Sequence, residues 1–170
     1  VSRAIASEAE KYDAVEQRTD MVYSAVNLES LQLYKKINWE AHNPFHFISV
    51  GRHHWIKGYH YALASIKNLQ ENNFRIHYSI IAQDQPSEET LYQIDDLSLQ
   101  DNVTLIRFDA QDDVYRKMSS SDCMLLPSAE EGIANVVLEA MAIGLPIISS
   151  DCGGMREIID HSKNCFLFCN

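Results

Sequence analysis

From residue 45 onward, short apolar runs alternate with longer amphipathic segments, and this alternation limits the fold more than any other feature of the chain. Short apolar runs predict buried strands, whereas apolar residues at three- and four-residue spacing predict helices. Strands that alternate with helices predict a parallel sheet covered on both faces, because parallel strands need a crossover connection. We therefore expect an α/β domain with a doubly wound, Rossmann-like parallel sheet.

The predicted elements divide the chain into two parts. The predicted strands are 45–50, 74–82, 103–108, 123–127, 146–149 and 165–168. The predicted helices are 57–70, 86–99, 112–120, 133–143 and 153–160. Residues 1–44 are expected to form a connector with a helix over 8–18, one further strand over 21–26, and an irregular, partly helical stretch over 28–43.

Composition narrows the class of protein. With 170 residues, of which 46% are hydrophobic, the sequence suits one globular domain. It begins at Val1 and stops just after an apolar run, so we expect a fragment of a longer protein. No signal peptide is visible, and no apolar run approaches the roughly 20 residues that span a bilayer. The net charge of −10 argues against nucleic-acid binding and means that an anionic ligand needs a local cationic pocket.

The four cysteines fit no zinc or redox spacing, and we expect reduced thiols in a cytoplasmic protein. The histidines likewise show no metal-ligand spacing, so we expect no metal site.

Three segments are expected at the carboxyl ends of the strands, where ligands bind in such sheets: 51–58, 128–135 and 150–154. In the first, Arg52 and Lys57 flank a loop that follows Gly51. Two cations beside a helix N-terminus suit a phosphate or diphosphate. Taken alone, the same two residues are equally compatible with solvated surface cations.

Two carboxylates, Glu131 and Glu139, stand eight positions apart, and Glu139 falls within an apolar helical run. A buried, unpaired carboxylate is costly, so Glu139 needs a partner. Helical rise would place the two about 12 Å apart, a span that suits one elongated ligand. Glu139 can accept the paired hydroxyls of a ribose; the alternative is an internal partner such as an arginine or a backbone amide.

Together these motifs resemble those of the family-4 glycosyltransferases, specifically the C-terminal, donor-binding half of their GT-B fold. The family pattern G-R-x-x-x-x-K-G is matched by Gly51, Arg52, Lys57 and Gly58. The pattern E-G-x-x-N-x-x-x-E-A-M-A-x-G-x-P is matched by Glu131, Gly132, Asn135, Glu139, Ala140, Met141, Ala142, Gly144 and Pro146. Gly153, Gly154 and Glu157 fit a third motif, although a simple turn and cap also explains Glu157. The resemblance covers about residues 45–168 and is strong because the motifs occur in order.

The resemblance implies a role for each matched residue. Arg52 and Lys57 would hold the donor diphosphate, and Glu131 would hold the sugar, so these three are the expected catalytic residues. Glu139 would bind the ribose, and the base would lie near Arg107 and Phe108. The full set of expected donor-binding residues is Gly51, Arg52, Lys57, Arg107, Phe108, Glu131, Gly132, Ile133, Ala134, Asn135 and Glu139.

The resemblance further implies hexosyl transfer with retention, no cofactor beyond the nucleotide-sugar co-substrate, and no metal held by a D-x-D motif. The acceptor, a glycan or a lipid-linked sugar, would bind through an N-terminal domain absent from this sequence, so we expect no turnover by the domain alone. The full enzyme would be cytoplasmic, with peripheral association at the inner face of a membrane as one option. The alternatives are a GT-B-fold nucleotide-sugar epimerase and a non-catalytic nucleotide-sugar-binding module.

The sequence departs from the family pattern at three places. The usual G-x-G after the second strand reads Ala82-Gln83-Asp84, and the glycine after the third strand is Arg107. In place of the family's usual N-G-V-D, residues 24–27 are Ser-Ala-Val-Asn. These departures bear on the base pocket and the hinge rather than on the expected diphosphate and ribose sites.

Overall fold

The structure, a computed structural model, describes residues 2–3, 6–7, 22–37, 40–160, 163 and 165–168. Within these residues a parallel sheet of six strands is covered by helices. The strands are β1 (Phe45–Val50), β2 (Ile76–Ala82), β3 (Val103–Arg107), β4 (Cys123–Leu126), β5 (Ile147–Ser150) and β6 (Phe166–Phe168). The helices are α1 (Leu28–Leu31), α2 (Tyr59–Glu71), α3 (Glu88–Asp96), α4 (Gln111–Ser119) and α5 (Asn135–Ile143). The predicted doubly wound α/β fold is confirmed.

The strand order is β3-β2-β1-β4-β5-β6, and every neighbouring pair is parallel. Chain order therefore reverses between β1 and β4, which are hydrogen-bonded neighbours with Phe47 opposite Cys123. A crevice opens at such a reversal, beyond the carboxyl ends of the two strands. The loops that leave β1 and β4 form its two walls.

Apolar residues on the two faces of the sheet build two separate cores. On one face, Ile48 of β1 packs in a buried cluster with Val137 of α5. On the other face, Tyr78 of β2 packs with Leu63 of α2. Burial on both faces explains why the strands read as continuous apolar runs rather than as alternating ones.

Several predicted elements were displaced or wrong. Helix α5 begins at Asn135 instead of Ile133, and the predicted helix over 153–160 is only a 3-10 helix, Gly153–Glu157. Residues 22–26 form no strand, so the extra strand is wrong over the described part of 21–26. The predicted helix over 8–18 lies outside the described residues. Residues 28–34 are helical, as α1 followed by a 3-10 turn, in agreement with the predicted connector.

The amino-terminal edge of the sheet is organised by one buried acid, Asp122, whose side chain is 3% exposed. Its carboxylate accepts hydrogen bonds from the backbone amides of His46 (2.7 Å) and His42 (3.2 Å). The His42 ring nitrogen Nδ1 lies 2.7 Å away, and Lys36 Nζ lies 3.6 Å away. Asp122 thereby fastens the segment that leads into β1 to the start of β4.

Candidate functional site

The loop after β1 is fixed against the end of β4. Gly51 continues the sheet bonding through its amide, 2.9 Å from the carbonyl oxygen of Ile81. The chain then turns through a 3-10 helix, Trp55–Lys57, and reaches α2 through Gly58 at φ +64°. A Cβ atom at Gly58 would lie 2.0 Å from the carbonyl oxygen of Pro127. Glycine at this position therefore satisfies two requirements, the left-handed backbone and the close approach of the β4 chain.

The two loops that flank the crevice are joined by a backbone bond and an ion pair. The amide of Ala129 donates to the carbonyl oxygen of Ile56 at 2.8 Å. The ammonium nitrogen of Lys57 lies 2.5 Å from Oε1 of Glu131. The two residues that the sequence singles out in separate motifs are thus in direct contact at the reversal of strand order.

Glu131 is held from three further directions. The Ser128 hydroxyl donates to Oε1 of Glu131 at 2.8 Å, and the Gly154 amide donates to the Glu131 carbonyl oxygen at 3.1 Å. Gly153, at φ +51°, packs so closely that a Cβ there would lie 1.7 Å from the same carbonyl oxygen. The paired glycines of the third motif therefore position Glu131 rather than open an α-helix.

The remaining expected residues around the diphosphate and base lie at the same edge. Arg52 lies two residues after Val50, the last residue of β1, and is exposed. Its side chain forms no ion pair with a residue that the structure describes. Arg107 ends β3 and is also exposed. Phe108, the next residue, is half-buried against the core, and its amide contacts the Ala82 carbonyl oxygen at 3.3 Å.

The segment between the two carboxylates is largely loop. Gly132 and Ile133 lie in it half-buried, Ala134 is the N-cap of α5, and Asn135 is its first helical residue. No side chain among the described residues caps this helix N-terminus, so its first amides have no side-chain acceptor there. Because the helix begins at Asn135, the interval from Glu131 is only partly helical, and the separation of about 12 Å inferred from helical rise no longer applies.

Glu139 has a protein partner that the sequence did not indicate. The Tyr115 hydroxyl, on α4, donates to Oε1 of Glu139 at 3.0 Å. Burial raises the pKa of the Glu139 carboxyl, and the hydrogen bond from Tyr115 acts in the opposite direction. The partner is neither an arginine nor a backbone amide, and one neutral hydroxyl leaves a half-buried carboxylate with spare acceptor capacity.

Asp84 is another residue that the sequence analysis did not assign to the site. It occupies the last position of the family's G-x-G, and its carboxylate accepts a hydrogen bond from the His53 amide at 2.9 Å. The departure from glycine therefore has a structural use, because Asp84 fastens the β1 loop to the loop after β2. Burial also lowers the pKa of the His53 ring, which favours its neutral form.

The structure provides no protein-bound nucleophile among its buried thiols. Cys123, Cys152 and Cys165 are free, and burial raises the pKa of Cys165 to about 11. Thiols of this kind stay protonated and unreactive near neutral pH. Across the part of the chain that the structure describes, no group of three or more His, Cys, Asp or Glu side chains is placed to hold a metal ion. The described helices include none that is long and apolar enough to cross a membrane.

Comparison with known proteins relates this geometry to a family. The family described as "Glycosyl transferases group 1" matches residues 32–170. The amylovoran biosynthesis glycosyltransferase AmsK of Erwinia amylovora is 30% identical over 148 residues, which cover 84% of this chain and 36% of AmsK.

Solved structures agree with this relationship. Anabaena HepE, solved in complex with UDP-glucose, is 25% identical with a TM-score of 0.67, over 75% of this chain and 35% of HepE. The lipopolysaccharide outer core galactosyltransferase WaaB shares the fold with a TM-score of 0.73 at 24% identity, over 99% of this chain and 47% of WaaB. The chain thus spans less than half the length of these relatives. The family predicted from the motifs is confirmed, and this chain belongs to the group 1 glycosyltransferases as a GT-B-fold domain.

Proposed function

We propose that this chain is the donor-binding domain of a glycosyltransferase that transfers a hexosyl group from a nucleoside-diphosphate sugar. One observation carries the proposal. The ion pair between Lys57 and Glu131 joins the two loops that wall the crevice at the reversal of strand order, with Arg52 exposed on the same loop as Lys57. A cationic and an acidic group are therefore adjacent in the crevice. A ligand that carries a diphosphate beside a sugar offers a partner to each of them.

The cations match the chemistry of the leaving group. When the glycosyl–phosphate bond breaks, negative charge develops on the diphosphate, and fixed positive charges close to it lower the barrier. Arg52 offers a planar fork of donors and Lys57 a compact charge. The N-terminus of α5, which has no side-chain cap, adds backbone donors at the same edge. The carboxylate of Glu131 would accept hydroxyls of the sugar, and Glu139 those of the ribose.

Support for a nucleotide-sugar donor also comes from relatives. HepE was solved in complex with UDP-glucose, and AmsK is named an amylovoran biosynthesis glycosyltransferase. We propose a nucleotide-sugar donor for this chain as well. The acceptor would be a glycan or a lipid-linked sugar, bound by a part of the protein outside this sequence. Retention at the anomeric carbon, independence from a metal and a cytoplasmic location are further parts of the proposal and rest on the family resemblance.

Calorimetric titration of UDP, GDP and ADP into the purified chain tests the donor role. We expect at least one nucleotide to bind with a dissociation constant in the millimolar range or tighter. Lys57→Ala and Arg52→Ala should each weaken binding by about tenfold, the loss of one charge-assisted contact of about 1.4 kcal/mol.

Arg75→Ala is the matched control, because Arg75 is exposed at the opposite edge of the sheet, just before β2. This variant should bind as the parent does. A folded chain that binds none of the three nucleotides at millimolar concentration would refute the donor role.

A further inference from the structure

The carboxylate of Glu139 lies on the first turns of α5, where its neighbours in sequence are apolar. Tyr115 reaches it from α4, with a hydroxyl-to-Oε1 distance of 3.0 Å. Among the described residues, Glu139 has no other hydrogen-bonding partner. A glutamate side chain has three rotatable bonds, so this single contact decides which way the free carboxylate oxygen points.

Tyr115 is itself held by a residue from outside the predicted donor domain. The Tyr34 and Tyr115 rings are 5.4 Å apart between centroids and tilted by 53°, a favourable geometry for an aromatic pair. The guanidinium carbon of Arg116 lies 5.9 Å from the centre of the Tyr34 ring, within reach of a cation–π contact. Tyr34 therefore has contacts with two successive residues of α4.

Tyr34 belongs to the predicted connector, and the stretch 22–37 of this connector contacts the rest of the chain at several points. Asn27 caps α1, and Leu31 is buried in the core cluster that includes α5. The amide of Lys36 donates to the carbonyl oxygen of Ile143, the last residue of α5, at 2.9 Å. The Tyr23 hydroxyl donates to Glu157 at 3.0 Å. The connector thus contacts both helices that carry the Tyr115–Glu139 pair.

We propose that Tyr115 is a positioning residue for the ribose-binding carboxylate of Glu139, and that Tyr34 holds Tyr115, so that the connector and the nucleoside end of the donor site are ordered together. This proposal rests on the proposed function, in which Glu139 receives the ribose hydroxyls. Arg52 and Lys57, which form the diphosphate end, are not part of the series of contacts from Tyr34 through Tyr115 to Glu139. The two ends of the donor site should therefore respond differently to changes at Tyr115.

The first test separates the two ends by ligand. Dissociation constants of UDP and inorganic pyrophosphate are measured for the parent chain, Tyr115→Phe and Tyr34→Ala. We expect Tyr115→Phe to weaken UDP binding about three- to tenfold, which corresponds to the loss of one hydrogen bond. The dissociation constant of pyrophosphate should stay within about twofold of the parent value. Tyr34→Ala should also weaken UDP binding. Tyr34→Phe, which keeps the aromatic ring, should bind UDP as the parent does.

Tyr92→Phe is the matched control, because the Tyr92 side chain on α3 is 72% exposed. It should leave both dissociation constants unchanged.

The second test is a pH profile for uridine, which carries no phosphate, followed by NMR titration. Uridine should bind only when Glu139 is ionised, so its affinity falls as the pH drops through the pKa of that carboxyl. Tyr115→Phe removes the hydrogen bond that opposes the effect of burial, so the fall should begin at higher pH than in the parent. The surrounding titratable and charged groups, Tyr34 on the connector and Asp112, Asp113 and Arg116 on α4, are the same in both proteins.

The outcomes are distinct. Equal weakening of UDP and pyrophosphate by Tyr115→Phe, or an unchanged UDP affinity, would overturn the positioning role while leaving the donor site intact. An unshifted uridine profile would overturn it as well. If the parent chain binds neither UDP nor pyrophosphate, the proposed donor function fails and the positioning role fails with it.

Discussion

Lys57 and Glu131 form an ion pair across two loops that are 74 positions apart, with 2.5 Å between Nζ and Oε1. Both side chains are mostly buried, at 19% and 14% exposure, and Ser128 donates to the same carboxylate oxygen. The cation expected to hold a diphosphate is therefore already neutralised in the chain without ligand. The diphosphate of a bound donor must share Lys57 with Glu131. It can do so while the hydroxyls of the donor sugar bind the Glu131 carboxylate.

This competition predicts an opposite effect of one substitution on two ligands. Glu131→Gln removes the charge that competes for Lys57, so UDP should bind about two- to fivefold more tightly, in line with the value of a partly exposed ion pair. The same change removes the acceptor for the sugar hydroxyls, so UDP-glucose should lose whatever affinity advantage it has over UDP.

Calorimetry with both ligands on the same protein preparation measures the two effects. Glu130→Gln is the control, because Glu130 precedes Glu131 in the chain, has the same charge and is exposed. Weaker UDP binding in Glu131→Gln would contradict the competition between Glu131 and the diphosphate.

The contact between the β1 loop and β4 predicts a large loss of stability for Gly58→Ala. The new Cβ would lie 2.0 Å from the Pro127 carbonyl oxygen, and φ of +64° is unfavourable for alanine. Strain of about 1 kcal/mol and a steric cost of about 1–3 kcal/mol should together destabilise the chain by about 3 kcal/mol. Urea unfolding measures this change, and a loss below about 1 kcal/mol would show that the loop can move away from β4.

Most of the fold was predictable because its signals are local and repeated. The run Phe45–Val50 is a strand with the predicted limits, and all six predicted strands are present. The errors lie where a local pattern competes with a long-range contact. Ile133 and Ala134 continue the apolar pattern of α5, yet the close approach of Gly153 and Gly154 holds the preceding segment as a loop. Periodicity reports which face is buried, but it does not report such long-range steric contacts.

The site was predicted unevenly for the same reason. The expected proximity of the Gly51–Gly58 loop and the segment around Glu131 is confirmed by the Lys57–Glu131 contact. That contact tests proximity alone, and the roles assigned to all the expected catalytic and donor-binding residues stay predictions. Tyr115 was missed because a tyrosine in an amphipathic helix carries no signal of its partner, whereas Asp84 could have been found as a carboxylate in place of a family glycine.

Asp122 should contribute strongly to stability because it is buried and has several partners. Asp122→Ala leaves Lys36, whose side chain is 7% exposed, without its carboxylate and should cost about 3 kcal/mol. Asp101→Ala, an exposed acid before β3, should cost little. Urea unfolding at neutral pH of the parent and both variants measures the difference, and a cost for Asp122→Ala equal to that of Asp101→Ala would contradict the anchoring role.

The pH dependence of Asp122 has a defined sign. Burial raises the pKa of this carboxyl, but the His46 amide and the His42 ring lower it by more, so the net pKa in the folded chain is below the ordinary value. The stability from Asp122 is therefore present above its unfolded pKa, about 3.9, and is lost as the pH falls through the lower folded value. The difference in unfolding free energy between parent and Asp122→Ala should shrink in that acidic range.

Glu139 should have the opposite linkage. Burial raises its pKa in the folded chain, so the folded state favours the protonated form. The stability from protonation is fully present below the unfolded pKa, about 4.3, and is lost as the pH rises through the folded value. Glu139→Gln should therefore raise the melting temperature at neutral pH and have little effect near pH 4, while it weakens uridine binding.

Thermal unfolding at both pH values checks this prediction, with Glu40→Gln as an exposed control. A lower melting temperature for Glu139→Gln at neutral pH would contradict a carboxylate that is kept for binding at the expense of stability.

The most direct measurement of the central claim is a titration of UDP-glucose into the isotope-labelled chain, with amide chemical shifts followed residue by residue. The proposed donor site predicts shifts in 51–58, 107–108 and 131–139, at the carboxyl edge of the sheet, and no shift at His46 or His77, which lie on the amino-terminal side of β1 and β2. Shifts confined to the amino-terminal edge, or none at a ligand concentration of several millimolar, would contradict it.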